Sequence, residues 1–224
     1  MAGESKHQPS RYRVAPGIQG EYQAGSHGLV LKNKLGICTK RQIDRAEFEA
    51  LVKVQEKYLW SITGATRFTA KIIRRMHYDW LVGIYPWAGQ YRQVELSKKN
   101  FVWPPARLVT QNMEAFERNT LKQYTPCRPG SIDAITTAMA RVQAELLLVH
   151  LFREGNGRLA RWLTDLMALQ AGLRPLDYGF TGSGSIRRRR AYLVAVTAGY
   201  GEDYGRLRRE LAEALARADT RPLG

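Results

Sequence analysis

An all-α fold broken by one short β-hairpin is the architecture the sequence predicts. Three observations lead there. From Thr39 onward, apolar residues recur at helical spacing in one window after another. Residues that cap or stop helices stand at the ends of those windows. Only one stretch, QYRQVELSKKNF (90–101), departs from that period and shows the short alternation of a strand pair.

The elements follow in order. Residues 1 to about 30 are polar and carry Gly, Pro, Gln and Ser, which reads as an arm with little core of its own. Thr39 caps a first helix with Ile43, Phe48, Leu51, Val52 and Val54 on its apolar positions. A second helix runs from about Thr69 to Leu81, with Ile72, Ile73, Met76 and Trp80 on one face. Tyr91, Val94 and Leu96 then alternate with polar residues, and KKN offers the turn of a hairpin. Pro104 and Pro105 open another helix, as proline tolerates a first turn. Ser131–Val149 is a long apolar helix ending at His150, and another helix follows from about Gly157 to Ala171. Leu159, Trp162, Leu163, Leu166 and Met167 form its apolar stripe, and Gly172 and Pro175 stop it. Two last helices lie near 185–198 and 203–217.

Composition narrows the functional classes. With 224 residues, 44% of them apolar, one domain with extensions is expected. A formal charge of +15 favours an acidic partner: nucleic acid, a nucleoside triphosphate or an acidic protein. Cys38 and Cys127 make no CxxC pair, which points to a reducing compartment and no cysteine metal site. The beginning, MAGESKHQPSRYR, lacks the apolar core of a secretory signal, and LLLVHLF is far short of the roughly 20 residues of a membrane span. A soluble, cytoplasmic protein without a membrane partner is the expectation.

The chemistry concentrates in HLFREGNGRLAR (150–161). A helix N-terminus presents unpaired N–H groups and favours an anion, and glycines let the backbone approach it closely. Gly155, Asn156 and Gly157 stand where such a cradle would form, although GNG is also an ordinary turn. Arg158 and Arg161, one turn apart, can grip successive phosphates or simply face solvent. Glu154 beside phosphate makes sense with a divalent ion between them, and in isolation it is an exposed loop carboxylate. His150 is either a packed core residue or a base poised over phosphate.

Taken together, these residues resemble the Fic motif, HPFx(D/E)GNGRxxR, and match eight of its nine specified positions. LKNKLGI (31–37), IYPWAGQYR (84–92) and NFVWPP (100–105) resemble the segments that flank it in that family. The resemblance implies a Fic-type helical core at 31–200 with a small β-hairpin flap, followed by a C-terminal helix and tail at 201–224. It also implies transfer of AMP from ATP to a Ser, Thr or Tyr hydroxyl of a target protein. His150 would be the general base, and Glu154 would hold Mg2+. The amides of Gly155, Asn156 and Gly157 would cradle the α-phosphate, with Arg158 on the β- and Arg161 on the γ-phosphate. Tyr91, Arg92, Val94 and Leu96 would belong to the flap that docks the target.

One position departs from the family pattern: Leu151 replaces the usual proline, and leucine lets the helix continue. The family's inhibitory pattern, (S/T)xxxE(G/N), is also missing. Glu-Gly occurs only at 154–155, and Glu-Asn occurs nowhere. By resemblance this is the toxin half of a toxin–antitoxin pair, with a small antitoxin supplying an inhibitory glutamate helix beside Arg161. A type II topoisomerase subunit is a candidate target, and the sequence is compatible with delivery into another cell. The alternatives are a basic nucleic-acid-binding module built on RRRR (187–190), a non-catalytic adaptor, or a Fic enzyme using another nucleotide. Direct nucleic-acid binding is not expected.

Overall fold

The computed structural model of the chain describes residues 19–98 and 101–220. Helix α5 (Ile132–Val149) is the axis of the molecule. The side chains of Met139, Ala140, Val142 and Ala144 are fully buried, and α6 (Asn156–Gln170), α7 (Ser185–Gly199) and α8 (Gly205–Asp219) all pack on it. Helices α1 (Lys40–Ser61) and α2 (Ala70–Leu81) pair beside this core.

Capping explains where the helices begin. Thr39, Thr69 and Ser131 each accept a bond from a backbone N–H three residues on, at the starts of α1, α2 and α5. The prolines do not open a helix directly. Ala106–Leu108 is a 3-10 turn, and α3 (Val109–Phe116) follows it, running through a π-helical turn (Glu117–Leu121) into α4 (Lys122–Tyr124). The carboxylate of Glu117 accepts from the N–H of Ala70 at 2.7 Å, which ties that turn to the start of α2.

Both ends of the described chain pack on the helical core. The described part of the N-terminal segment is joined to the domain: Val30 is 1% exposed, and Tyr22 pairs with Leu31. Residues 1–18 of the expected arm lie outside the described residues. At the other end, α8 buries Leu207, Leu211 and Ala214 completely and forms a wall of the core.

The hairpin is shorter than the alternation suggests. It pairs β1 (Ser97–Lys98) with β2 (Phe101–Val102) in antiparallel register, and Lys99 and Asn100 of the KKN turn lie outside the described residues. Val94, Leu96 and Trp103 form a small separate cluster beneath it. Helix α1 also departs from its expected face. Ile43, Leu51 and Val54 are buried, whereas Phe48 and Val52 are 63% and 51% exposed. No described helix is long and apolar enough to cross a membrane.

Candidate active site

His150 caps the C-terminal end of α5 in the left-handed conformation, φ 49° and ψ 57°. The helix therefore stops there without a proline, and Leu151 does not carry it onward as expected. Leu151 is fully buried, and its carbonyl accepts from the N–H of Arg92 at 2.9 Å. His150 is itself 7% exposed, under the ring of Trp103 with centroids 4.0 Å apart. Its Nδ1 lies 3.2 Å from the carbonyl of Leu147, an acceptor only, so Nδ1 carries the proton and Nε2 the lone pair. Burial pushes the imidazole pKa down to about 3, and the charges of Arg92 and Lys98 add to that against the Leu147 bond.

The loop after His150 closes on itself. Asn156 accepts from the N–H of Phe152 at 2.9 Å and donates to its carbonyl at 2.7 Å. Its side chain is thus a staple, and its backbone amide remains for an anion. Phe152 is buried and stacks on His77 with centroids 3.6 Å apart. His77 in turn accepts from Gly89 N–H at Nδ1 and donates from Nε2 to the carbonyl of Glu154 at 3.1 Å. It is held in the opposite tautomer to His150, and burial pushes its pKa down to about 3 as well.

Gly155 precedes α6 with φ +87°, and a Cβ there would come within 2.9 Å of the Trp80 ring. Only glycine fits that turn. At Gly157 a Cβ would meet Arg161 at an ordinary 3.5 Å, so space does not demand glycine there. The first turn of α6 presents the amides expected of an anion cradle. In this structure Glu154 Oε1 accepts from the N–H of Gly155 at 3.1 Å.

The two motif arginines have different neighbours. Arg158 lies over Trp80 at 4.8 Å and reaches Glu47 of α1 at 2.6 Å and Glu154 at 3.6 Å. Arg161 enters a cluster of Phe180, Tyr178 and Tyr192, whose ring centres lie 5.5, 5.9 and 6.0 Å from its guanidinium. Among the described residues, no group of three His, Cys, Asp or Glu could hold a metal ion. Glu154, 25% exposed at its side chain, fits a site where one carboxylate shares Mg2+ with phosphate and water.

Of the flap residues expected from sequence, Arg92, Val94 and Leu96 have buried side chains and Tyr91 a half-buried one. Arg92 is 1% exposed and donates from Nε to the carbonyl of His150 at 2.7 Å, from Nη1 to Val94 O, and from Nη2 to Pro104 O. It clamps the base of the hairpin to the histidine. Val94 and Leu96 are buried, and Tyr91 lies under Arg74 and beside Phe152. Docking by this segment would use main chain, not these side chains. Sequence reasoning missed Glu47, His77, Trp80 and Trp103. All four meet the motif across 47 to 111 positions of chain, and no local pattern marks such contacts.

Of the four arginines at 187–190, Arg188 donates to the carbonyls of Gly179 and Ser183, and Arg189 covers Phe180 at 5.1 Å. Half of that run therefore braces the loop before α7.

Residues 67–168 match the family model described as the Fic/DOC family. A probable protein adenylyltransferase, y4lH of Sinorhizobium fredii, is 27% identical over 149 residues, 66% of this chain and 74% of that protein. The protein adenylyltransferase VbhT of Bartonella schoenbuchensis is 26% identical over 144 residues, 64% of this chain but only 30% of VbhT. Among solved structures, the VirB-translocated effector BepC of Bartonella tribocorum, determined with bound AMPPNP, superposes with a TM-score of 0.65. It is 21% identical, over 82% of this chain and 91% of that one. The N-terminal FIC domain of Bep8 from Bartonella sp. 1-1C gives 0.71 at 17% identity, over 90% and 98%. At these identities the structures speak for the fold. The motif on its closed loop lies inside the matched stretch 67–168, so this part of the chain is similar to a Fic domain in sequence as well as in fold.

Proposed function

We propose that the chain is a nucleotidyltransferase, specifically a protein adenylyltransferase that moves AMP from ATP to a Ser, Thr or Tyr hydroxyl of another protein. The observation that carries this reading is the loop itself. A neutral histidine with its lone pair on Nε2 stands at one end of a stapled turn, and two arginines leave the helix at the other. The names of y4lH and VbhT support the same reaction class.

In this reaction Nε2 of His150 takes the proton of the target hydroxyl as its oxygen attacks the α-phosphorus. The bond from that phosphorus to the bridging oxygen breaks, and pyrophosphate leaves on Arg158 and Arg161. The backbone N–H groups at the start of α6 stabilise the charge growing on the α-phosphate. Glu154 would hold Mg2+ in place of its bond to Gly155 N–H, and the ion would supply positive charge against the phosphates. Trp103 packs on the His150 ring beside the hairpin along which a target segment would lie. Main-chain pairing with β1 or β2 would place such a segment with little demand on its sequence.

The proposed setting is a toxin–antitoxin pair. A small antitoxin would bring a helix whose glutamate pairs with Arg161, which has a ring cluster around it where Arg158 already has carboxylates. The exposed Phe48, Val52, Leu59 and Trp60 of α1 supply an apolar face of the kind such a helix covers. A type II topoisomerase subunit is a candidate target, and the cytoplasm, of this cell or of one into which the protein is delivered, is the proposed place of action.

Incubation with labelled ATP, GTP, UTP and CTP in a bacterial lysate tests the reaction. Label from ATP should enter a protein band, and His150→Ala should lower it by about 10²-fold or more. Labelling that persists in that variant sinks the mechanism, and preference for another nucleotide sinks the AMP assignment. Growth tolerance of the active chain expressed alone would sink the toxin role.

A further inference from the structure

Glu47 is a buried carboxylate that the proposed reaction does not use. It lies on α1, upstream of the residues matched by the family model, and is 3% exposed. Three contacts fix it. The hydroxyl of Tyr85 donates to Oε1 at 2.6 Å, and Arg158 Nη2 donates to Oε2 at 2.6 Å. The indole N–H of Trp80 donates to the backbone carbonyl of the same residue at 2.8 Å. Trp80 also carries the guanidinium of Arg158 on its ring and sets the limit on Gly155.

Arg158 thus meets two carboxylates through one nitrogen, and they differ in freedom. Glu154 belongs to the loop, stands 3.6 Å away and has a side chain 25% exposed. Glu47 has a side chain 4% exposed and has both oxygens engaged. An arginine held at one nitrogen over an aromatic ring has its plane fixed while its other N–H groups stay available. A flexible arginine must lose that rotamer freedom when it grips phosphate, and one fixed beforehand has already lost it.

We infer that Glu47 is a positioning residue for nucleotide binding: with Tyr85 behind it, it presets Arg158 as the ligand of the β-phosphate. The inference rests on the reading that Arg158 takes that phosphate. The opposite role, an internal inhibitor that occupies Arg158 against phosphate, needs a carboxylate that can leave. Glu47 is braced from two sides and Glu154 is not, so Glu47 is the fixed member of the pair.

The test is titration calorimetry with ADP and with AMP in Mg2+, on the unaltered chain and on Glu47→Gln, Tyr85→Phe and Arg158→Ala. Glutamine keeps the shape and the bond to Tyr85 but removes the charge. Glu47→Gln should weaken ADP roughly tenfold and leave AMP, which has no β-phosphate, unchanged. Tyr85→Phe, which keeps the carboxylate and frees its other oxygen, should weaken ADP by a smaller factor in the same direction. It also decides the matter if Glu47→Gln does not fold. Tighter ADP binding in either variant makes Glu47 an inhibitor and overturns the inference, as does equal weakening of ADP and AMP. If Arg158→Ala leaves ADP binding unchanged, the β-phosphate reading fails. If that variant weakens ADP and Glu47→Gln does not, only the role of Glu47 fails.

Discussion

The two sides of the first turns of α6 hold the same residue type by different means. On the α1 side, Arg158 is fixed by charge: Glu47 and Glu154 meet it over Trp80, with His77 propping the loop from below. On the α7 side, Arg161 is fixed by rings, and the buried Asp165 of its own helix is a carboxyl that feels its charge. Burial pushes that carboxyl up to about 7, against the Leu176 N–H bond and the charge of Arg161. One side opposes a full positive charge with carboxylates, and the other leaves much of that charge uncompensated. Two arginines of one motif can therefore share a substrate and still answer to different physics.

The largest effect expected on this comparison comes from closing the α1 side. Gly155→Ala would force a side chain into φ +87° and against Trp80. It should cost about 3 kcal/mol in a denaturant or thermal melt and abolish labelling. Full activity in that variant would show that the turn tolerates a shift the packing forbids.

A direct comparison follows from truncating each arginine. Arg158→Ala strands Glu47, which is 3% exposed, and should destabilise the fold by about 3 kcal/mol, within the range for breaking a buried pair. Arg161→Ala loses ring contacts and should cost about 1 kcal/mol. Equal losses in paired melts would erase the distinction between the two sides.

The last effect is a change of slope with pH. His77 and His150 are neutral in the fold down to about pH 3, whereas in the unfolded chain each takes a proton below about 6.5. The unfolded state binds those protons, so the histidines make stability fall as pH drops from about 6.5. Asp165 acts in reverse, because the fold keeps its proton up to about 7 and the unfolded chain releases it near 4. Between about pH 4.5 and 6 one carboxyl offsets one of two histidines. Asp165→Asn removes the offset and should steepen the acid loss by about 1.4 kcal/mol per pH unit. Parallel stability curves for the two proteins would refute the assignment.

The residues of the candidate site were legible in sequence because one loop carries most of them. Histidine, glutamate, glycines and arginines lie within twelve residues, and local backbone geometry brings them together. The helices were legible for the same reason, since Thr39, Thr69 and Ser131 cap within their own first turns. What supports the loop was not. His77 meets Glu154 across 77 positions, Arg92 meets His150 across 58, and Trp80 meets Glu47 across 33. Arg92 reads in sequence as a polar residue of a strand edge, and only the fold turns it inward as a clamp. Phe48 and Val52 misled in the opposite sense, since apolar spacing on α1 marks an outer face as well as a buried one.

The ring that Asn156 makes with Phe152 also has a kinetic consequence. A turn tied shut by its own carboxamide has no loop to order when a polyphosphate arrives. Capture is then governed by encounter, and with a formal charge of +15 the encounter is drawn by a long-range field. Association should be fast in dilute buffer and slow steeply as salt is added, while dissociation changes far less.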